Sequence, residues 1–265
     1  MIELKKTGMA IAAFLMLASC SVKDGKTTSG GKDSEMAFES YEYDVIAEVT
    51  DADSLDNEGW RYCRASGYGV FPKKVGGNDI SVLRDSLESL ASVAFVSPDK
   101  IVPEFDGEMK LTFLDPDSTA SCGSSYNMLS LSLATPRLLV WKSYAASYIC
   151  AAAHGSYRTY YVNYRISDNR ILGLSDVMRS GYEDTLKKMI HKKLQQDEVD
   201  LLVPIEEVGI PSEFQITTDG ISFIYGLYEI APYSSGEVAV NFAGYELEEI
   251  LAPGMLSLIY GLPED

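Results

Sequence analysis

Few side chains in this sequence are equipped for chemistry, and their spacing narrows the options further. It has two histidines, His154 and His191. Multi-histidine metal sites and most histidine-based catalytic designs need more oriented partners than that. His154 stands before Gly155 in a turn-like setting, and His191 lies among Lys187, Lys188, Lys192 and Lys193 on what reads as a solvated basic helix face. Asp219 and Glu229 invite a glycosidase reading, which needs two carboxyl groups about 5–10 Å apart, one with a raised pKa. Asp219 is better explained as the first residue of an Asp-Gly turn. No Gly-x-Ser-x-Gly, P-loop, His-Glu-x-x-His or paired metal motif occurs. The expectation is therefore no catalytic residue, no metal and no cofactor. The segment Tyr228-Glu229-Ile230-Ala231-Pro232-Tyr233-Ser234-Ser235-Gly236 follows a strand. Turn chemistry accounts for its Pro and Gly. Its tyrosines suit a loop that displays amphipathic anchors, the kind enriched at interfaces. Tyr228, Glu229, Pro232, Tyr233 and, on its own turn, His154 are the candidate partner-binding residues.

Composition bounds the partner. The 265 residues carry 22 Lys+Arg against 39 Asp+Glu, a net charge of −17. Nucleic-acid binding rests on phosphate neutralisation by Lys and Arg and is not expected here. Hydrophobic residues at 46% and charged residues at 23% are ordinary for a folded chain. Charge is uneven along the sequence. Residues 137–193 hold ten Lys/Arg and four Asp/Glu, whereas residues 197–265 hold fourteen Asp/Glu and no Lys or Arg. A stretch that acidic is either a solvated face or the complement of a basic partner.

The N-terminus reads as an address. Lys5 and Lys6 precede the apolar run 9–17, far shorter than the ~20 residues a membrane-spanning helix needs. Leu17-Ala18-Ser19-Cys20 follows and resembles the lipobox of bacterial lipoproteins, in which the cysteine is acylated and becomes the new N-terminus. Several acyl chains on Cys20 would anchor stably, where one alone is marginal. The Gly/Ser-rich, polar residues up to about 40 read as a tether. Cys63, Cys122 and Cys150 remain; an odd number leaves at least one thiol outside any internal disulfide, and buried reduced cysteines are an equal reading.

The elements that must position these residues follow from periodicity. Strands are expected near 43–49, 60–71, 110–114, 126–133 and 137–151, and a helix capped by Asn78 or Asp79 running to about Phe95, with Ile80, Leu83, Leu87, Leu90 and Ala94 on one face. In 157–166 one parity is Tyr160, Val162, Tyr164 and Ile166, the mark of a half-buried strand. A hairpin turn at 167–169, a short turn at Ser175-Asp176 and an amphipathic helix over 182–195 come next. Phe214 to Leu227 reads as a hairpin about Asp219-Gly220 with a type I′ turn. A strand over 237–242 and a short helix over 245–251, stopped by Pro253-Gly254, close the pattern. The fold class is α+β: antiparallel sheets with helices packed on one face, in two related or adjoining subdomains. The expected organisation is a leader 1–19, a tether 20–40, subdomains 41–135 and 136–255, and a tail 256–265.

The second half resembles a known family. Ala153-His154-Gly155, the strand, Ile171-Leu172-Gly173-Leu174-Ser175-Asp176-Val177-Met178, the hairpin from Phe214, and Tyr228 to Gly236 are similar to the C-terminal extracytoplasmic domain shared by the lysozyme-sensing anti-sigma factor RsiV and some peptidoglycan deacetylases. The resemblance covers about 136–255; the family's usual Thr-Gly-Lys turn is Asp168-Asn169-Arg170 here. It implies an α+β fold and an extracytoplasmic binding role. An anti-sigma role is not expected, because a lipoprotein leader stands where a transmembrane helix and cytoplasmic segment would be. The expected function is a non-catalytic cell-envelope lipoprotein, periplasmic or at the cell surface. Its partner would be a basic protein such as a lysozyme-like muramidase, or cell-wall glycan. The alternatives are a peptidoglycan or polysaccharide hydrolase or deacetylase, or its accessory, and a structural envelope lipoprotein. For the address itself, Cys20→Ala is expected to abolish incorporation of labelled fatty acid and to release the protein from the membrane fraction; unchanged labelling would place acylation elsewhere.

Overall fold

The structure, a computed structural model, describes residues 36–48, 62–91, 93–94, 100–103, 109–112, 123–149 and 152–262. The leader, Cys20, most of the expected tether, Cys122 and Cys150 lie outside the described residues. The chain divides into two compact units, residues 1–130 with 145–155, and residues 131–144 with 156–265. The division thus falls within strands rather than at the expected 135/136 boundary.

In the first unit, β1 (Met36–Glu48) runs antiparallel to β2 (Tyr62–Val75). β1 begins inside the expected tether: Met36 already pairs with Val75, and between Ala37 and Phe38 the register skips Lys73, next to Pro72, which has no N–H to offer the ladder. Gly67 and Gly69 do not break β2; the register sets Tyr43 and Tyr41 against them. α1 (Ser81–Ala91) starts where the Asp79 carboxylate accepts the Ser81 N–H at 3.0 Å, and that hydrogen bond holds the Asp79 carboxyl below its usual range. Its buried stripe is Ile80, Leu83, Leu87 and Ala91. The helix stops short of the expected Phe95, because β3 (Val93–Ala94) pairs with β4 (Lys100–Pro103), which in turn pairs with β5 (Met109–Thr112). β6 (Gly123–Ala134) pairs with β2 in parallel, from Cys63↔Gly123 to Gly69↔Leu129, a departure from the expected all-antiparallel pattern. The Asn127 amide donates to the Leu90 carbonyl at 2.8 Å, satisfying a helix-end acceptor.

In the second unit, the end of β6 turns at Thr135, whose hydroxyl oxygen accepts the Leu138 N–H at 2.9 Å, into β7 (Leu138–Ile149). β8 (Ser156–Arg165) and the short β9 (Arg170–Ile171) complete the order β6-β7-β8-β9. Asn169 at φ 54° makes the β8–β9 turn. α2 (Leu174–Val177) is closed by Asp176, which accepts the Gly173 N–H and pairs with Arg170. α3 (Glu183–Gln196) buries Leu186, Ile190 and Leu194. Strands β10 (Glu213–Ile216), β11 (Gly220–Tyr225) and β12 (Val238–Ala243) form a separate antiparallel sheet. One apolar cluster joins Leu138 and Val140 of β7 to α2, α3 and this sheet.

Three features differ from the sequence reading. The Asp219-Gly220 turn is not type I′, for neither residue has positive φ. The Thr217 hydroxyl accepts the N–H groups of Asp219 and Gly220 at 3.3 and 3.1 Å and holds the turn instead. Glycine is needed at 220 for room: a Cβ there would sit 1.9 Å from the Phe242 carbonyl oxygen of β12. The expected tail is core. α4 (Met255–Ile259) buries Met255, Leu258 and Ile259, and the Arg137 guanidinium donates to the carbonyls of Ser257 and Leu262. Finally, β8 is buried on both faces. Thr159 and Asn163, on the polar parity, are as buried as Val162 and Tyr164.

Gly220→Ala should therefore destabilise the protein by about 2–3 kcal/mol, since the methyl meets backbone that cannot move aside. Gly209→Ala, where nothing lies within 4 Å, should stay within about 0.5 kcal/mol of the parent. Denaturant midpoints of the two variants check the contrast.

Candidate functional site

Backbone N–H and C=O groups of successive strand residues point to opposite sides, so Thr159, Tyr161, Asn163 and Arg165 all aim at the outward edge of β8. β9 pairs only Tyr164 and Arg165. Side chains close the rest. The Glu237 carboxylate accepts the Thr159 N–H at 2.7 Å and the Thr159 hydroxyl at 2.6 Å. Glu213 accepts the Tyr161 N–H at 3.2 Å. Asn163 imitates a strand residue: its amide donates to the Phe214 carbonyl at 2.9 Å and its Oδ1 accepts the Ile216 N–H at 2.8 Å. The bonds to the two carboxylates are charge-assisted and the stronger ones. They fasten the two ends of the segment 213–237 to one strand.

Between those fastenings lies the loop after β11. Gly226 and Glu229 close a turn reciprocally. The Glu229 N–H donates to the Gly226 carbonyl at 3.1 Å, and Glu229 Oε2 accepts the Gly226 N–H at 2.8 Å. Tyr228, inside that turn, is left-handed at φ 61°. A side chain with a Cβ costs about 1–2 kcal/mol there. The residue is nevertheless 55% exposed, so the strain is not offset by deep burial of the side chain. Tyr228 and Tyr233 hold their ring centroids 5.8 Å apart, tilted by 35°. Ile230 and Ala231 are buried and pin the loop to the core. Pro232 leads into a single 3-10 turn, Tyr233–Ser235, and Gly236 follows at φ 69°. A Cβ on Gly236 would meet the Tyr157 hydroxyl at 2.8 Å. Tyr157 in turn lies 5.5 Å from the Tyr144 ring.

The sequence candidates therefore separate. Tyr228, Glu229, Pro232 and Tyr233 form one displayed loop of the second unit. His154 belongs to the first unit, at a turn where its Nδ1 lies 2.9 Å from the Gly155 carbonyl. His191 is not merely part of a solvated face: its Nε2 lies 2.8 Å from the Val208 carbonyl. Asp219 and Glu229 flank opposite ends of β11, about 17 Å of strand, so they do not make a glycosidase pair. Leu202 escaped the sequence reading. Its N–H donates to the Ile230 carbonyl at 2.8 Å, which brings a 54%-exposed leucine beside the loop. No local signal marks it, because the pairing is made across 27 intervening positions.

The electrostatics are those of crowded carboxylates. Burial pushes the Glu213 carboxyl above the ordinary range; Glu229 and Glu237 push it the same way, against the Tyr161 N–H bond and Arg158. Burial likewise raises the Tyr161 phenol, with Glu237 and Glu213 adding to it. Tyr225 is raised strongly by burial, and its hydroxyl donates to the Gly209 carbonyl at 2.6 Å. A raised carboxyl beside others would suit a general acid. Here Glu213 and Glu237 are both engaged with β8 backbone. Among the described residues, no group of three or more His, Cys, Asp and Glu could hold a metal ion.

A family model described as a protein of unknown function, DUF3298, matches residues 175–242, from α2 to β12. Two crystal structures share the fold. A DUF3298 family member from Bacteroides fragilis is 16% identical with a TM-score of 0.61, covering 86% of this chain and 98% of its own. A DUF3298 family protein from Pseudomonas aeruginosa is 13% identical with a TM-score of 0.56, covering 89% and 100%. No curated protein matches the chain.

Because Glu213 holds its proton more tightly folded than unfolded, the folded state binds more protons between the ordinary carboxylate pKa of about 4.3 and the raised one. Stability from this group is complete below that window and falls as pH rises through it. Glu213→Gln keeps an acceptor for the Tyr161 N–H and should flatten that fall. Urea midpoints measured from pH 4 to 8 on both proteins check it; identical slopes would remove Glu213 as the cause.

Proposed function

We propose that this chain is a non-catalytic, lipid-anchored protein of the bacterial cell envelope whose second unit binds a basic protein of the lysozyme-like muramidase kind. The anchor is acyl chains on Cys20, and the tether carries the folded units on the extracytoplasmic side. The observation that carries the reading is the loop 226–237. It holds an exposed tyrosine in a strained backbone, backs it with a second tyrosine, and is fastened at Glu237 to β8. It lies in 69 residues without one Lys or Arg. Strain at an exposed side chain points to use rather than packing. A tyrosine anchor rimmed by carboxylates matches a cationic surface. The resemblance to the RsiV-like extracytoplasmic domain supports the same partner class. Among the described residues no helix is long and apolar enough to cross a membrane.

Cell-wall glycan is a second reading, favoured by the two tilted tyrosine pairs, Tyr144–Tyr157 and Tyr228–Tyr233. The two readings differ in salt response, because attraction between exposed charges is screened and stacking on a sugar is not. The protein should be retained on immobilised lysozyme at low ionic strength and released by a few tenths molar salt. Tyr233→Ala should weaken retention about tenfold, the effect of losing a tyrosine anchor. Absence of retention at low ionic strength overturns the muramidase reading; salt-insensitive retention on purified peptidoglycan supports glycan instead.

A further inference from the structure

We infer that the loop reads an arginine side chain of its partner in preference to lysine, and that Tyr228 and Glu229 together make the choice. The inference rests on the docking reading above and goes further than charge.

Tyr228 and Glu229 are consecutive, exposed, and set by one turn. The bond from Gly226 occupies Glu229 Oε2 and leaves Oε1 for a donor from outside. A guanidinium is flat and weakly hydrated. It can lie on a tyrosine ring and donate in its own plane to a carboxylate beside that ring. A lysine ammonium is a compact, strongly hydrated point charge and gains far less from the ring face. Leu202, 54% exposed and tied to Ile230, offers an apolar wall for the methylene stem that both cations share. Glu213 lies near enough to Glu229 for their charges to act on one another, which adds to the negative potential at the site. The chain already sets a guanidinium on a tyrosine within itself: Arg158 lies 5.0 Å over the Tyr160 ring, and its charge acts on Glu213.

The test compares hexa-arginine and hexa-lysine, capped at both ends and equal in charge, binding to the intact protein at one low ionic strength. Hexa-arginine should bind about three- to tenfold more tightly. Tyr228→Asn should bring hexa-arginine down to the level of hexa-lysine and leave hexa-lysine almost unchanged. Asparagine tolerates left-handed backbone, so this variant should melt no lower than the parent. Tyr228→Phe keeps the ring and should keep the preference. Equal affinities in the parent, or a preference that survives Tyr228→Asn, overturn the inference. Should the two peptides bind equally while immobilised lysozyme is still retained, only the arginine preference falls. Should neither peptide nor lysozyme bind, the docking reading falls with it.

Discussion

A strand edge that water cannot fully reach must still satisfy its N–H groups, and β8 meets that demand with side chains. Glu237 and Glu213 stand where the residues of a further strand would stand, and Asn163 of β8 returns the service to the backbone of β10. An open edge invites pairing with other chains; this one is closed by groups that no passing strand displaces cheaply, since each leaves a charge or an amide behind. Because the closing groups come from β10 and from the segment just before β12, the same bonds that finish the edge also register the second sheet on the first. The exposed loop is then held from both directions: from below by Ile230 and Ala231 in the core, from its exit by Gly236 against Tyr157 and Glu237 against Thr159.

That arrangement explains how a strained residue persists at the surface. Left-handed tyrosine would relax if the loop were slack. The reciprocal Gly226–Glu229 turn fixes it at the entry, and the edge bonds fix it at the exit. Glu229 thus serves the backbone with one oxygen while its neighbours crowd it with charge. The acidic stretch is not a uniformly solvated face: Glu237 and Glu213 are half-buried and structural, Glu246 is tied to the Ala243 N–H and to Lys193, and Glu229 remains at the surface.

The sequence discloses what is local. Alternation in 157–166 and the 3- and 4-residue spacing of Leu186, Ile190 and Leu194 identify β8 and α3 within a residue or two. The α+β class follows from them. What the pattern hides is pairing at a distance. The polar parity of β8 suggested a wet face, but Asn163 is buried because β10 needs its amide. Asp219-Gly220 marked a turn correctly and for the wrong reason: Thr217 makes the turn, and the nearness of Phe242 demands the glycine. Pro253-Gly254 looked like an ending, yet five residues beyond it, Met255–Ile259, complete the core. In the candidate site the tyrosines were legible from composition and turn chemistry. Leu202 and the edge-closing roles of Glu213 and Glu237 were not, because each is defined by a partner far along the chain.

The contact between Arg137 and the last turn of the chain has a bearing on how the second unit comes into being. Arg137 stands at the start of β7 and reaches carbonyls 120 and 125 residues further on. A unit whose β7 is latched to carbonyls at 257 and 262 cannot be completed until those residues have been made. Such long-range closure slows the search for the native state and lengthens the interval in which incomplete chains are vulnerable to misassembly and proteolysis. A chain broken before Ser257 lacks its latch.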